Sequence, residues 1–126
     1  MSLRSPLGRV KGLGSAKQGT LHWWQQRLTA VVLAPLCIWL MISIVSITSL
    51  GYDAVTLWIK KPINAVLLLV FILALFHHTQ LGVQVVIEDY VSSEGQKLTC
   101  IVLVKFLALF AGLASILAVL TVFLGL

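Results

Sequence analysis

The sequence predicts an all-α membrane protein with three transmembrane helices. Three observations carry that prediction. The 126 residues are 60% hydrophobic and only 10% charged, with a mean hydropathy of +1.05, whereas soluble domains carry about a quarter charged residues. Three apolar stretches, from about 24 to 50, 63 to 87 and 98 to 124, each exceed the roughly 20 residues a helix needs to cross a bilayer. The segments between them are short, so successive helices must run antiparallel. No room remains for a soluble catalytic domain, and water-soluble chemistry has to happen on a partner.

Residues 1–22 read as a polar arm, with Gly8, Gly12, Gly14 and Gly19 set among Ser, Lys and Arg. The arm lacks the apolar run that follows the charges of a signal peptide, and its Gly and Pro weaken the amphipathic helix of an organellar transit peptide. It is expected to stay in the cytoplasm, ahead of a membrane unit spanning 23–126. Trp23 and Trp24 then mark headgroup level. Arg27 follows about one turn into the first span, where a guanidinium either snorkels to lipid phosphate or grips a carboxylate or phosphate in bidentate fashion. Pro35 is a candidate kink within that span.

Gly51 to Pro62 reads as a connecting loop that includes Tyr52 and Asp53. The second span carries His77 and His78 and ends in Glu88, Asp89 and Tyr90; a second loop runs to Lys97. The third span has Lys105 near its start, close enough to snorkel, and no motif beyond its packing. Trp39 and Trp58 carry no pattern above packing or an interfacial belt.

Charge sets the expected orientation. Arg4, Arg9, Lys11, Lys17 and Arg27 precede the first acid, Asp53, and the chain carries a formal charge of +5. With Lys97 and Lys105 they fall on one side of the membrane, against Lys60 and Lys61 on the other. The excess of basic residues stays inside, which puts the N-terminus in the cytoplasm and the C-terminus outside. A basic arm beside a span is an orientation signal that touches anionic lipid, so no nucleic acid is expected as a partner. Cys37 and Cys100 lie in or beside apolar spans and read as small hydrophobes.

The segment from His78 to Tyr90 concentrates what chemistry the chain has. Ionisable groups at membrane depth are costly and mark sites by default. Twelve helical steps cover about 18 Å, so the imidazole lies near mid-bilayer and the phenol near one surface. Gly82 opens space one turn from His78, on the same face as Val85 and Asp89. Two readings of His78 stand: a metal ligand beside a flat macrocycle, or a hydrogen bond that ties helices together. His77, about 100° round the helix, favours the second. A zinc site is disfavoured, because no other His or Cys lies at ligand spacing. One axial histidine here and one from a partner would suffice for a haem. Asp89 and Tyr90 are either proton-handling and hydrogen-bonding groups or ordinary residues of a helix end.

Three pieces of the chain resemble the small hydrophobic membrane anchor (cytochrome b small subunit) of succinate dehydrogenase, the succinate:quinone oxidoreductase of respiratory complex II. They are the arm from Ser5 to Lys17; Gly19-Thr20 with Trp24 and Gln26-Arg27-Leu28-Thr29-Ala30; and His78 with Leu81-Gly82, Gln84 and Glu88-Asp89-Tyr90-Val91. The resemblance implies that His78, not His77, is an axial ligand of haem b, with the other axial histidine supplied by a larger cytochrome b anchor of three helices. It implies that Tyr90 hydrogen-bonds a ubiquinone carbonyl with Asp89 in or beside that pocket, and that Arg27 lies near the haem propionates and the quinone. Flavoprotein and iron-sulfur subunits would supply the succinate chemistry, and the bacterial inner membrane, rather than the mitochondrial one, would be the location. Where relatives often carry His after the Asp-Tyr-Val stretch this chain has Ser92, so that histidine's role has no counterpart.

Three rivals are weighed against this. A fumarate reductase anchor would share the architecture. A small transporter would require a carboxylate in mid-span, and none is present. A non-redox scaffold would use His78 only as glue.

Overall fold

The computed structural model describes residues 5–10 and 17–126; of the basic arm, Arg4 and Lys11 lie outside the described residues. Every described element is helical. A five-residue helix, α1 (Pro6–Val10), opens with proline in its first turn, and Ser5 Oγ accepts the Gly8 N–H at 3.0 Å. Both features suit a helix start, where backbone N–H groups lack partners.

The first span belongs to α2 (Lys17–Ile47), 31 residues long, which passes through Pro35 as one helix and ends in the tight turn Thr48–Leu50. Because α2 begins at Lys17, His22 rides on a helix face. Gly51, at φ 90°, then separates this turn from the helix that follows, in a left-handed backbone that glycine adopts without strain.

The expected loop from Gly51 to Pro62 is instead largely helical. Helix α3 (Tyr52–Ile59) fills it, with Trp58 and Ile59 half-buried and Leu57 exposed. Two contacts from the spans hold it in place. Trp58 stacks on Trp39 of α2 with ring centroids 5.3 Å apart and planes at 27°, and the Trp58 carbonyl accepts a 2.8 Å hydrogen bond from Asn64 Nδ2. Asn64 is itself buried, so the bond satisfies a side chain that apolar surroundings would otherwise penalise.

The second span, α4 (Pro62–Tyr90), starts on a proline, and the third, α5 (Glu94–Leu124), ends at Gly125 with φ 75°. Leu126 N–H returns to the Thr121 carbonyl and Gly125 N–H to the Val122 carbonyl, the paired closure of a helix C-terminus that needs a left-handed residue. All three long helices are apolar enough to cross a membrane. At 1.5 Å per residue they run to about 44–47 Å, which reaches through the headgroups or accommodates tilt.

The spans form a row rather than a closed bundle. Helix α4 packs on α2 on one side and on α5 on the other, while α2 and α5 have no Cα atoms within 8 Å of each other among the described residues. The α4–α5 contact is close because Gly112 is buried against the Phe76 ring, with small Ala108 and Ala111 of α5 lining the same seam. Small residues let membrane helices approach where no hydrophobic force drives them together. Buried apolar side chains are few: Leu33, Leu36, Ala65, Ile72 and Leu81. Lipid tails are as apolar as leucine, so the many outward-facing Leu, Val and Phe side chains carry no penalty in a bilayer.

Candidate functional site

The seam between α2 and α4 gathers a line of half-buried polar side chains. On α2, His22, Gln26, Thr29, Leu33 and Leu36 recur every three or four residues, the spacing of one helix face. Polar residues occupy the half near the N-terminal arm, and the buried leucines the other. Thr29 Oγ1 lies 2.9 Å from His78 Nδ1. One turn nearer the arm, Gln26 Nε2 would sit 3.6 Å from a Cβ built on Gly82, so glycine leaves room for the amide. Buried Leu81 closes the seam beside them. Two polar atoms in this region, His22 Nε2 and Gln26 Oε1, are shielded from solvent and make no hydrogen bond among the described residues.

The two histidines point to different places. His78 turns into the α2–α4 seam, where its Nδ1 is engaged and its Nε2 makes no hydrogen bond among the described residues. His77 lines a groove of about 160 Å³ between α4 and α5, together with Gln80, Phe76 and Gly112. No group of three His, Cys, Asp or Glu side chains is close enough to hold a metal ion among the described residues.

Asp89 and Tyr90 end α4 and are exposed, Tyr90 to 84%. Just inside them Gln84 Nε2 donates to Glu88 Oε1 over 2.8 Å, an i to i+4 pair that holds one carboxylate against its own helix. Arg27 is exposed on α2, its guanidinium carbon 5.6 Å from the Trp23 ring centroid, within cation–π range. Trp23 in turn meets Trp24 edge to face, with centroids 5.2 Å apart.

The Thr29–His78 contact sets the antiparallel register and puts Arg27 level with about Gln80. Ten helical steps, or about 15 Å, separate that level from Tyr90. His78 is thus brought together with Thr29, Gln26 and Gly82, whereas no hydrogen bond or ion pair joins Arg27 to Asp89 or Tyr90 among the described residues. Thr29 and Gln26 stand in the recognised Gln-Arg-Leu-Thr-Ala motif without an assigned role; a polar residue every third or fourth position along α2 was the signal available.

The family model for the succinate dehydrogenase/fumarate reductase transmembrane subunit matches residues 1–114. The chain belongs to this family. Its relatives include the succinate dehydrogenase hydrophobic membrane anchor subunit of Rickettsia bellii, 35% identical over 92% of this chain and 93% of the relative. The succinate dehydrogenase membrane anchor subunit of Reclinomonas americana is 31% identical over 74% of this chain and 80% of its own length. That of Paracoccus denitrificans is 28% identical over 81% and 79%. No solved structure matches the chain. Membership accords with three membrane-crossing helices: the chain is a multi-pass membrane protein of the succinate dehydrogenase anchor family.

Proposed function

We propose that the chain is the anchor of a succinate:ubiquinone oxidoreductase, supplying one axial histidine to a haem b and part of the ubiquinone-reduction site. The observation that carries this reading is the placement of His78 in the α2–α4 seam with Nδ1 engaged by Thr29. An imidazole held through one nitrogen presents the other as a ligand, the arrangement that orients metal-bound histidines. The donor set also fits. Haem needs a single axial nitrogen from this chain, and His78 Nε2 makes no hydrogen bond among the described residues. His22 Nε2 and Gln26 Oε1, shielded and without a hydrogen bond among the described residues, give the seam capacity for a polar group, since leaving them unpaired is costly.

Bound at His78, haem would supply a one-electron store. The chain's own residues do the rest. The Tyr90 hydroxyl donates to a quinone carbonyl, and its bond strengthens as reduction places negative charge on that oxygen. Asp89 beside it, and Glu88 one residue further in, accept and pass protons from the aqueous side. Arg27, about 15 Å deeper than Tyr90 by helical rise, balances anionic groups nearer the His78 level.

The charge distribution supports placing the arm and the short 91–93 connection in the cytoplasm, with Lys60, Lys61 and the C-terminus outside a bacterial inner membrane. The flavoprotein and iron-sulfur subunits dock on the cytoplasmic side, and a larger three-helix anchor brings the second axial histidine. A fumarate reductase anchor is the second reading, favoured only by the breadth of the family description; the relatives compared above carry succinate dehydrogenase names.

Purification of the complex through a tag on this chain tests the proposal. Two catalytic subunits and a second anchor should co-purify with a b-type Soret band. Loss of the band in His78→Ala supports the ligand assignment, and its survival overturns it.

A further inference from the structure

We infer that Thr29 is the positioning residue for His78: its hydroxyl oxygen accepts a hydrogen bond from Nδ1–H and so fixes the ring with Nε2 as the bare nitrogen. This rests on the haem reading above and deepens it, by naming the group that holds the ligand.

One oxygen and the protons around it decide the tautomer. Thr29 Oγ1 has three neighbours at hydrogen-bond distance: the Gln25 carbonyl at 2.7 Å, the Gln26 carbonyl at 3.1 Å and His78 Nδ1 at 2.9 Å. A threonine hydroxyl has one proton to give, and backbone carbonyls can only accept. With two carbonyl oxygens converging on it, the hydroxyl must point its proton at them. Turned toward the imidazole, it would set oxygen lone pairs face to face at 2.7 Å. The remaining contact therefore needs a proton from the ring, and Nδ1 carries it. In a neutral imidazole that leaves Nε2 with the lone pair, the form that binds metals.

The geometry also explains why a threonine does this rather than a carboxylate. The hydroxyl is anchored to its own helix by the carbonyl of the preceding turn, so its free lone pair has a set direction across the seam. A neutral acceptor avoids placing another charge at membrane depth, where charge is costly. A hydrogen bond at the outer nitrogen raises the ligand's basicity, which favours the ferric over the ferrous state.

The experiment compares Thr29→Val, nearly the same shape without the hydroxyl, and Thr29→Ser, which keeps it, in the purified complex. Haem content, midpoint potential and the low-spin electron paramagnetic resonance signal are read alongside succinate oxidation by an artificial acceptor. Thr29→Val is expected to weaken haem binding about 10- to 100-fold, to raise the midpoint potential and to shift the low-spin signal, while Thr29→Ser stays near wild type. If Thr29→Val does not assemble, Thr29→Ala is read by the same measurements, since it relieves any crowding by the second methyl. Wild-type haem content, potential and signal in the hydroxyl-free variant overturn the inference, as does a Thr29→Ser variant shifted as far as Thr29→Val. His78→Ala keeps the two failures apart. If it abolishes the haem while Thr29→Val changes nothing, the ligand assignment stands and the role of Thr29 falls; if the haem survives it, both fall.

Discussion

Gln26 and Gly82 face each other across the α2–α4 seam, the amide nitrogen 3.6 Å from where a Cβ on the glycine would stand. That spacing is ordinary van der Waals contact, so Gly82→Ala should assemble with its haem intact. A branched side chain must displace the Gln26 amide, and overpacking of this kind costs about 1–3 kcal/mol. Gly82→Leu should therefore lower both the thermal midpoint and the haem content of the purified complex. Retention of full haem by Gly82→Leu would show that the seam is looser than these contacts imply.

Tyr90→Phe keeps the ring and removes the donor. Quinone reductase activity should fall at least about 10-fold, the scale of losing a hydrogen bond to developing negative charge, while succinate oxidation by an artificial acceptor is preserved. Equal quinone turnover in the variant would remove Tyr90 from the site.

Arg27 and Tyr90 lie at different depths, so their substitutions should report on different things. Arg27→Gln is expected to change the haem midpoint potential and Tyr90→Phe to change quinone turnover, with the double variant showing the sum of both. Sites more than about 10 Å apart behave additively. Strong coupling in that double-variant comparison would place both residues on one ligand.

Asn64 offers a test at the other end of the molecule. Its amide donates to the Trp58 carbonyl over 2.8 Å from a buried position, and Asn64→Ala removes that bond at a cost of about 1–2 kcal/mol. The complex should melt earlier in detergent, with its haem spectrum and quinone kinetics unchanged. A changed spectrum would mean that the α3 end communicates with His78.

Orientation is checked by fusing a reporter that folds only outside the cytoplasm to Leu126, and separately to the 51–62 segment. Both should be active: the basic excess keeps the opposite side in the cytoplasm, and Lys60 Nζ, 3.7 Å from a Cβ built on Gly125, puts the two sites on one side of the membrane. Activity of a fusion between Val91 and Lys97 instead would invert the topology.

The three spans were legible because membrane crossing imposes length and hydropathy directly on the sequence. His78 was legible for a related reason: a polar group in an apolar run stands out, and the resemblance chose between it and His77 before geometry turned the two to opposite seams. Thr29 was not, since a threonine within a span ordinarily bonds its own preceding turn, and its third neighbour lies 49 residues away. Helix α3 was hidden between Gly51 and Pro62, residues that punctuate loops as readily as they bound a short helix. What holds it, the Trp39–Trp58 stack and the Asn64 bond, exists only once the spans are side by side.

The row arrangement bears on how this sequence can drift. Helix α5 touches only one neighbouring span, and its sole buried residue is Gly112, against Phe76. Within this chain, then, third-span positions that face away from α4 answer to hydropathy alone and can exchange among Leu, Val, Ile and Phe over generations. Residues along the α2–α4 seam answer to shape and to hydrogen bonding as well. Lineages of such anchors should thus stay recognisable by their first two spans long after the third has been rewritten, and Gly112 should be among the last of its letters to change.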